Sequence, residues 1–178
     1  EKNSLSGYDT YKGTKHYFYL EFDKTPTSFI EKNIADTAVL CAQFGKELEQ
    51  LGIRYGISYI SVEQAKKNLN KEINDYNLQA LAQTARAAWN KALGKINVEG
   101  STEDEKITFY TALYRSHERM INISEDGKYY SGFDGKIHDD EGIPFWTDDW
   151  AWDTYHALHP LQIILNPKDH EAKLTSYI

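Results

Sequence analysis

The sequence has little cysteine, methionine or proline: among 178 residues it contains one cysteine, one methionine and four prolines. The single cysteine, Cys41, excludes an intrachain disulfide framework and a zinc site built from cysteines. No stretch reaches the roughly 18 apolar residues of a membrane-spanning helix, so we expect no membrane span. The net charge is −7. Because binding to a phosphate backbone depends on basic groups, we do not expect a nucleic-acid partner.

Aromatic residues are abundant by contrast, with 13 tyrosines and four tryptophans. Most of them suit the faces of β-strands and a protein core. Aromatic rings also suit carbohydrate, because their faces cover the apolar C–H side of a sugar. The composition therefore favours a globular protein and is compatible with a glycan ligand.

Three runs in the first third of the chain have the two-residue period of a β-strand. They cover residues 16–22, 37–44 and 53–60, and Gly, Pro and Asn residues separate them. In the last run Ile53, Tyr55 and Ile57 fall on one face. Such runs predict an antiparallel sheet. Because three strands do not close a sandwich, we interpret them as the end of a larger β-domain.

The period becomes helical from Ser61, which with Gln64 has the spacing of a capping box. Pro160 must kink or split the last helix. A sheet region followed only by helices predicts two successive domains rather than one α/β layer. Helices are predicted at about residues 61–74, 78–94, 102–120 and 149–165, with an irregular loop at 132–146.

The strongest candidate site lies near the C-terminus, where Trp150 and Trp152 flank Asp153. A carboxylate near a helix start is favoured by unpaired N–H groups and the positive end of the helix dipole. An oriented carboxylate accepts hydrogen bonds from sugar hydroxyls, and indole rings cover the apolar side of the sugar. The alternative is that Asp153 is only an N-cap and that the tryptophans belong to the core.

The same stretch carries a family resemblance. Residues 152–155 (Trp-Asp-Thr-Tyr) and 157–161 (Ala-Leu-His-Pro-Leu) resemble the signature of the calcium-dependent α-mannosidases of glycoside hydrolase family 92. Three further segments, residues 56–69, 109–116 and 127–132, are similar to other segments of that family. They occur in the family's order and together span about residues 50–167, which is more specific than any single motif.

The resemblance implies an α+β two-domain fragment. On this interpretation residues 1–61 are the end of an N-terminal antiparallel β-sandwich, residues 62–98 a helical linker, and residues 99–178 the start of an (α/α)6 catalytic barrel. The chain would then be a piece of a longer enzyme. The remainder of that enzyme is an expected partner of this fragment.

The resemblance also implies an exo-acting, inverting, Ca²⁺-dependent α-mannosidase that hydrolyses terminal α-mannosyl linkages of glycans, with α-1,2 linkages preferred. Trp152 and Asp153 would bind the mannose. We expect the catalytic acid and base, and most Ca²⁺ ligands, outside this chain. His156 stands where the family usually has arginine, and it is a candidate specificity position because arginine is a permanent, bidentate cation. A periplasmic, cell-surface or secreted location is implied.

Other interpretations stay open at this point. A non-catalytic glycan-binding protein could keep Trp152 and Asp153, and a structural or adaptor fragment needs neither. His156 and His159 have a spacing that can serve a metal ion, although packing is the simpler interpretation. The acidic residues 139–141 and 148–149 could bind Ca²⁺. The acidic stretch 134–141 lacks the spacing of an EF-hand loop, so we interpret it as a solvated loop.

Overall fold

The computed structural model describes residues 2–34 and 37–178, and for Thr37 the backbone alone. Two compact units divide the chain, Glu1–Asn77 and Leu78–Ile178. The described residues form antiparallel strands and six helices, which confirms a mixed α+β chain with the sheet first and most of the helices after it. Residues 61–62 and 98–99 stay predicted domain boundaries.

The first unit contains five strands. They are β1 (Ser4–Tyr11), β2 (Thr14–Phe22), β3 (Ser28–Ile34), β4 (Thr37–Gln43) and β5 (Ile53–Ser58). Antiparallel pairing gives a sheet of order β1-β2-β5 and a separate β3-β4 pair. The three predicted strands are confirmed as β2, β4 and β5, whereas the sequence pattern did not predict β1 and β3.

Helix α1 (Val62–Glu72) covers one face of the three-stranded sheet. The Ser61 side chain accepts a hydrogen bond from the Gln64 N–H and so caps the helix, which confirms one half of the predicted capping box. The Ser61 N–H donates to the Ser58 hydroxyl. A small core forms where Tyr19 of β2 packs against Ala65 and Leu69 of α1. The helix lies close to the sheet at Gly56 of β5, where a Cβ atom would lie 2.3 Å from the Ala65 carbonyl oxygen.

The opposite face of this sheet is apolar and exposed. Ile53, Tyr55 and Ile57, which the alternation placed together, are 52%, 62% and 61% exposed. On the neighbouring strand Phe18 pairs with Ile57 and is also exposed. Contiguous apolar surface of this kind is typical of an interaction face.

The second unit begins with α2 (Leu78–Leu93) and α3 (Glu103–Arg115), near the predicted positions. Thr102 and Glu105 form a complete capping box at the start of α3. Helix α3 ends five residues before the predicted end at residue 120. The Ser116 hydroxyl donates to the Leu113 carbonyl at 2.7 Å and gives a terminal helix carbonyl its partner.

Two short antiparallel pairs follow. Strand β6 (Ile121–Asn122) pairs with β9 (Trp146–Thr147), and β7 (Lys128–Ser131) pairs with β8 (Lys136–Asp139). The prediction of an irregular loop over residues 132–146 was therefore wrong in part. Glycine and proline made the stretch look irregular, although Gly135, with a φ of 70°, lies in the turn of the β7–β8 hairpin.

The last predicted helix is split into α4 (Ala151–Thr154) and α5 (Leu158–Leu165), and α6 (Pro167–Thr175) follows. Pro160 is the third residue of α5. It is tolerated there because the first N–H groups of a helix have no intrahelical acceptor. Among residues 2–34 and 37–178, no helix is both long and apolar enough to cross a membrane.

Candidate functional site

The candidate site is the single turn α4, which presents Trp152 and Asp153 at the surface of the second unit. Trp152 is 85% exposed, and Asp153 is exposed as well. Asp153 is the third residue of α4, whose N-cap position is Trp150. Its backbone N–H donates to the Trp150 carbonyl at 2.7 Å. The alternative in which Asp153 is an N-cap and both tryptophans are core residues therefore does not agree with the structure.

Arg119 contacts Asp148 and Trp150, two residues that precede helix α4. Its Nη1 lies 2.5 Å from Asp148 Oδ2, and its guanidinium carbon lies 4.3 Å from the centroid of the Trp150 ring. The backbone at Asp148 has a φ of 64°, which turns the chain just before the helix. One face of the Trp150 ring is therefore occupied by the arginine, whereas Trp152 projects into solvent.

A hydrogen-bond network centred on the buried carboxylate of Asp149 connects the two ends of α4. Asp149 precedes the helix, and its side chain is only 3% exposed. Its Oδ1 accepts from the Thr154 hydroxyl at 2.9 Å, and its Oδ2 accepts from His159 Nε2 at 2.9 Å and from the Tyr177 hydroxyl. Because a carboxylate only accepts, His159 must carry its proton on Nε2. We call these four residues the Asp149 network.

The Asp149 network shifts the acidity of its own members. Burial by itself raises the pKa of Asp149, but hydrogen bonds from Tyr177, His159 and Thr154 outweigh it and hold that pKa below its usual value. Burial, followed by the hydrogen bond to Asp149 and the charge of Asp149, raises the pKa of Tyr177 to about 12. Hydrogen bonds from the protein thus stabilise Asp149 as an anion.

A second layer of polar side chains from α6 lies behind the network. The His170 ring lies 5.1 Å from that of His159, and burial, together with the charges of His159 and Lys173, lowers the pKa of His170. Burial also lowers the pKa of Lys173, whose ammonium lies 4.7 Å from the centroid of the Trp146 ring. These groups favour an uncharged histidine next to the Asp149 network.

The metal-site hypotheses from sequence find no support. His159 contacts Asp149, whereas His156 is exposed and its ring lies 4.0 Å from that of Tyr155. In the part of the chain that the structure describes, no three His, Cys, Asp or Glu side chains are placed to hold a metal ion. Ca²⁺ takes six to eight oxygen ligands. Because the oxygens of Asp149 already accept protein hydrogen bonds, these residues alone do not form a Ca²⁺ site.

A cavity of about 460 Å³ lies elsewhere in the second unit, beside the β7–β8 hairpin and the end of α6. Tyr129, His138 and Phe145 line it, and the rings of Tyr129 and Phe145 are stacked with 4.0 Å between centroids. Neither Trp152 nor Asp153 lines this cavity. The candidate site is thus an exposed surface of this chain.

Sequence reasoning singled out Trp152, Asp153 and His156, whose roles stay predictions, but it did not identify the hydrogen bonds around α4. It considered Asp149 only as one of two adjacent acids that could bind Ca²⁺, and it treated His159 as a packing residue. The signal available in the sequence was the pair of adjacent acids Asp148 and Asp149. In the structure these two acids occupy different environments. Only the three-dimensional contacts distinguish the ion pair of Asp148 from the buried network of Asp149.

Comparisons with known proteins agree on one family. The glycosyl hydrolase family 92 catalytic domain matches residues 64–178. The chain is similar to a family 92 inverting mannosidase from Bacteroides thetaiotaomicron, with 31% identity, a TM-score of 0.82, and coverage of 98% of this chain and 26% of that one. A family 92 α-mannosidase from the same organism gives 26% identity, a TM-score of 0.84, and coverage of 99% and 27%.

A curated relative, an uncharacterised secreted glycosidase from Arthroderma benhamiae, is 34% identical over 71 residues, or 38% of this chain and 9% of that protein. The chain spans about a quarter of the length of the two solved structures. The family match covers most of the chain and includes all of α4 and α5. The chain therefore belongs to glycosyl hydrolase family 92.

Proposed function

We propose that this chain is part of an exo-acting, inverting, Ca²⁺-dependent α-mannosidase that releases mannose from the ends of glycans, with α-1,2 linkages preferred. The observation that carries the proposal is the exposed pair Trp152 and Asp153, held on a braced turn inside the segment that matches the family. The similarity to an inverting mannosidase supports it. The alternatives of a glycan-binding protein without catalysis and of an adaptor fragment have no comparable support.

Trp152 and Asp153 supply different parts of sugar recognition. The exposed indole of Trp152 offers a flat apolar surface for the C–H face of a pyranose. The carboxylate of Asp153 accepts hydrogen bonds from sugar hydroxyls. His156, two residues after α4, is exposed and follows Tyr155 directly, so it is the proposed specificity position.

The chemical step needs groups beyond this chain. Inversion requires two carboxyl groups about 6.5–9.5 Å apart, one to protonate the leaving oxygen and one to activate water. We assign neither role to a residue of this chain and expect both in the remainder of the enzyme. By the same resemblance, most of the Ca²⁺ ligands are expected there too.

The proposal includes the architecture of the longer enzyme. Residues 1–61 would be the end of a β-sandwich, residues 62–98 a linker, and residues 99–178 the start of an (α/α)6 barrel. The exposed apolar face of Ile53, Tyr55 and Ile57 supports the sandwich, because a second sheet would cover it. The similarity to a secreted glycosidase supports a periplasmic, cell-surface or secreted location.

The test is mannose release from α-1,2-linked mannobiose by the full reading frame, with and without a calcium chelator. We expect release that the chelator abolishes and added Ca²⁺ restores. The α-1,3- and α-1,6-linked isomers, assayed alongside, measure the linkage preference. Mannose binding without release would contradict the enzyme and favour a binding protein. Absence of both release and binding would contradict the site.

A further inference from the structure

Helix α4 is too short to be stable by itself. It has four residues, Ala151–Thr154, and its N-cap residue Trp150 makes no side-chain capping hydrogen bond. An isolated turn of helix is unfavourable, because fixing its backbone costs more than its few hydrogen bonds return. The orientation of Trp152 and Asp153 must therefore depend on contacts outside the helix.

The Asp149 network provides those contacts at both ends of the turn. Asp149 lies directly before the N-cap, and Thr154 is the last residue of α4. The Thr154 hydroxyl lies 2.9 Å from Asp149 Oδ1, 3.2 Å from the Trp150 carbonyl and 3.0 Å from His159 Nε2. One buried hydroxyl thus joins the residues before α4, the turn itself and the first turn of α5.

We propose that Asp149 and Thr154 are positioning residues for sugar recognition, and that they act through α4 on Asp153 and Trp152. This inference rests on the proposed function. Asp153 has no hydrogen bond or ion pair from its side chain to any residue that the structure describes, so the backbone of α4 sets its direction. Misplacing a recognition group by about 1 Å can cost about 100-fold in rate.

The experiment compares Thr154→Val with Thr154→Ser in the full-length enzyme. Valine matches the shape of threonine but lacks the hydroxyl, and serine keeps the hydroxyl. We expect Thr154→Val to lower kcat about 10- to 100-fold with KM changed less than about 3-fold, because the loss falls on positioning. Thr154→Ser should stay within about 3-fold of the wild type. A core variant in the first unit, Leu69→Val, controls for general loss of stability.

A second measurement does not need activity. The N–H groups of Asp153 and Thr154 donate to Trp150, and that of Tyr155 donates to Ala151. We expect Thr154→Val to speed their hydrogen exchange about 10-fold. Exchange in α6 should not change, and Thr154→Ser should resemble the wild type.

The results separate this inference from the proposed function. If the wild-type enzyme releases no mannose, the proposed function is contradicted, and exchange still decides whether the network holds α4. If the wild type is active but Thr154→Val matches Thr154→Ser in kcat, the positioning role is overturned, even where exchange is faster. A loss of kcat that Leu69→Val reproduces would also overturn it, because that loss would reflect stability alone.

Discussion

Asp149 and Asp153 lie four residues apart, before and within the same short helix, and their environments are opposite. The Asp149 side chain is 3% exposed and accepts hydrogen bonds from Thr154, His159 and Tyr177. Asp153 is exposed, and its side chain contacts no partner in the part of the chain that the structure describes. The two carboxylates thus differ in their proposed roles: that of Asp149 holds the turn α4 through hydrogen bonds, and that of Asp153 is available to a ligand.

The largest expected effect comes from the exposed member of the pair. Asp153→Asn should lower kcat/KM for α-1,2-mannobiose about 100-fold in the full-length enzyme, because a charged acceptor for sugar hydroxyls is lost. Its stability should change by less than about 0.5 kcal/mol, since the Asp153 side chain has no hydrogen-bond or ion-pair partner among the residues that the structure describes. Steady-state kinetics and urea unfolding measure the two quantities.

Asp169→Asn is the matched control for Asp153→Asn. Asp169 is exposed and is the third residue of α6, as Asp153 is the third residue of α4. The two substitutions therefore remove the same charge from the same helical position. Equal losses of activity in both variants would contradict a specific role for Asp153.

The buried member should show the reverse order of effects on stability. Asp149→Ala removes a buried acceptor that Thr154, His159 and Tyr177 share, so we expect a loss of about 2–3 kcal/mol in the free energy of unfolding. Asp153→Ala should lose less than about 0.5 kcal/mol. Equal urea midpoints for the two alanine variants would contradict the expected difference in stability between Asp149→Ala and Asp153→Ala.

Sequence reasoning reached Asp153 and not Asp149 for a physical reason. The Trp-Asp pattern is a local feature of the sequence. The alternation that predicted β4 is local too, and so is Pro160, the residue that predicted the split of the last helix. The Asp149 network joins residues 5, 10 and 28 positions away in the chain. Its geometry depends on the break between α4 and α5, which no period in the sequence locates to the residue.

Strand β1 was missed in the sequence for a related reason. Strand β1 contains few apolar residues, and its partner β2 supplies the buried Tyr19. Its place in the sheet comes from pairing with β2 through a turn at Lys12 and Gly13, whose φ values are 49° and 85°. Alternation predicts strands that bury a face, so a strand held mainly by its pairing escapes it.

The two tryptophans extend the comparison to the binding surface. Trp152 is 85% exposed, whereas one face of Trp150 is covered by Arg119. We expect Trp152→Ala to raise KM about 5- to 10-fold, equivalent to about 1 kcal/mol of stacking. Trp150→Ala should raise KM about 2-fold or less. A larger effect at Trp150 would show that the sugar contacts the opposite end of the turn.

The smallest expected effect is a pH dependence of the stability that Asp149 contributes. The folded-state pKa of Asp149 is lowered, so its stabilising contribution is present above about pH 4, the usual carboxyl pKa, and is lost as the pH falls through the folded value. The folded-state pKa of Tyr177 is raised to about 12. Its contribution is therefore complete below about pH 10, the usual tyrosine pKa, and disappears as the pH rises through the folded value.

The pKa of Asp149 sets the lower pH limit and the pKa of Tyr177 sets the upper one, and these two residues share a hydrogen bond. The difference in urea midpoint between the wild type and Asp149→Ala should therefore become smaller as the pH falls below about 4 and as it rises above about 10. A difference between the wild type and Asp149→Ala that stays constant from about pH 3 to pH 11 would mean that Asp149 stabilises the turn by packing, and the contrast between the two carboxylates would then be one of burial rather than of charge.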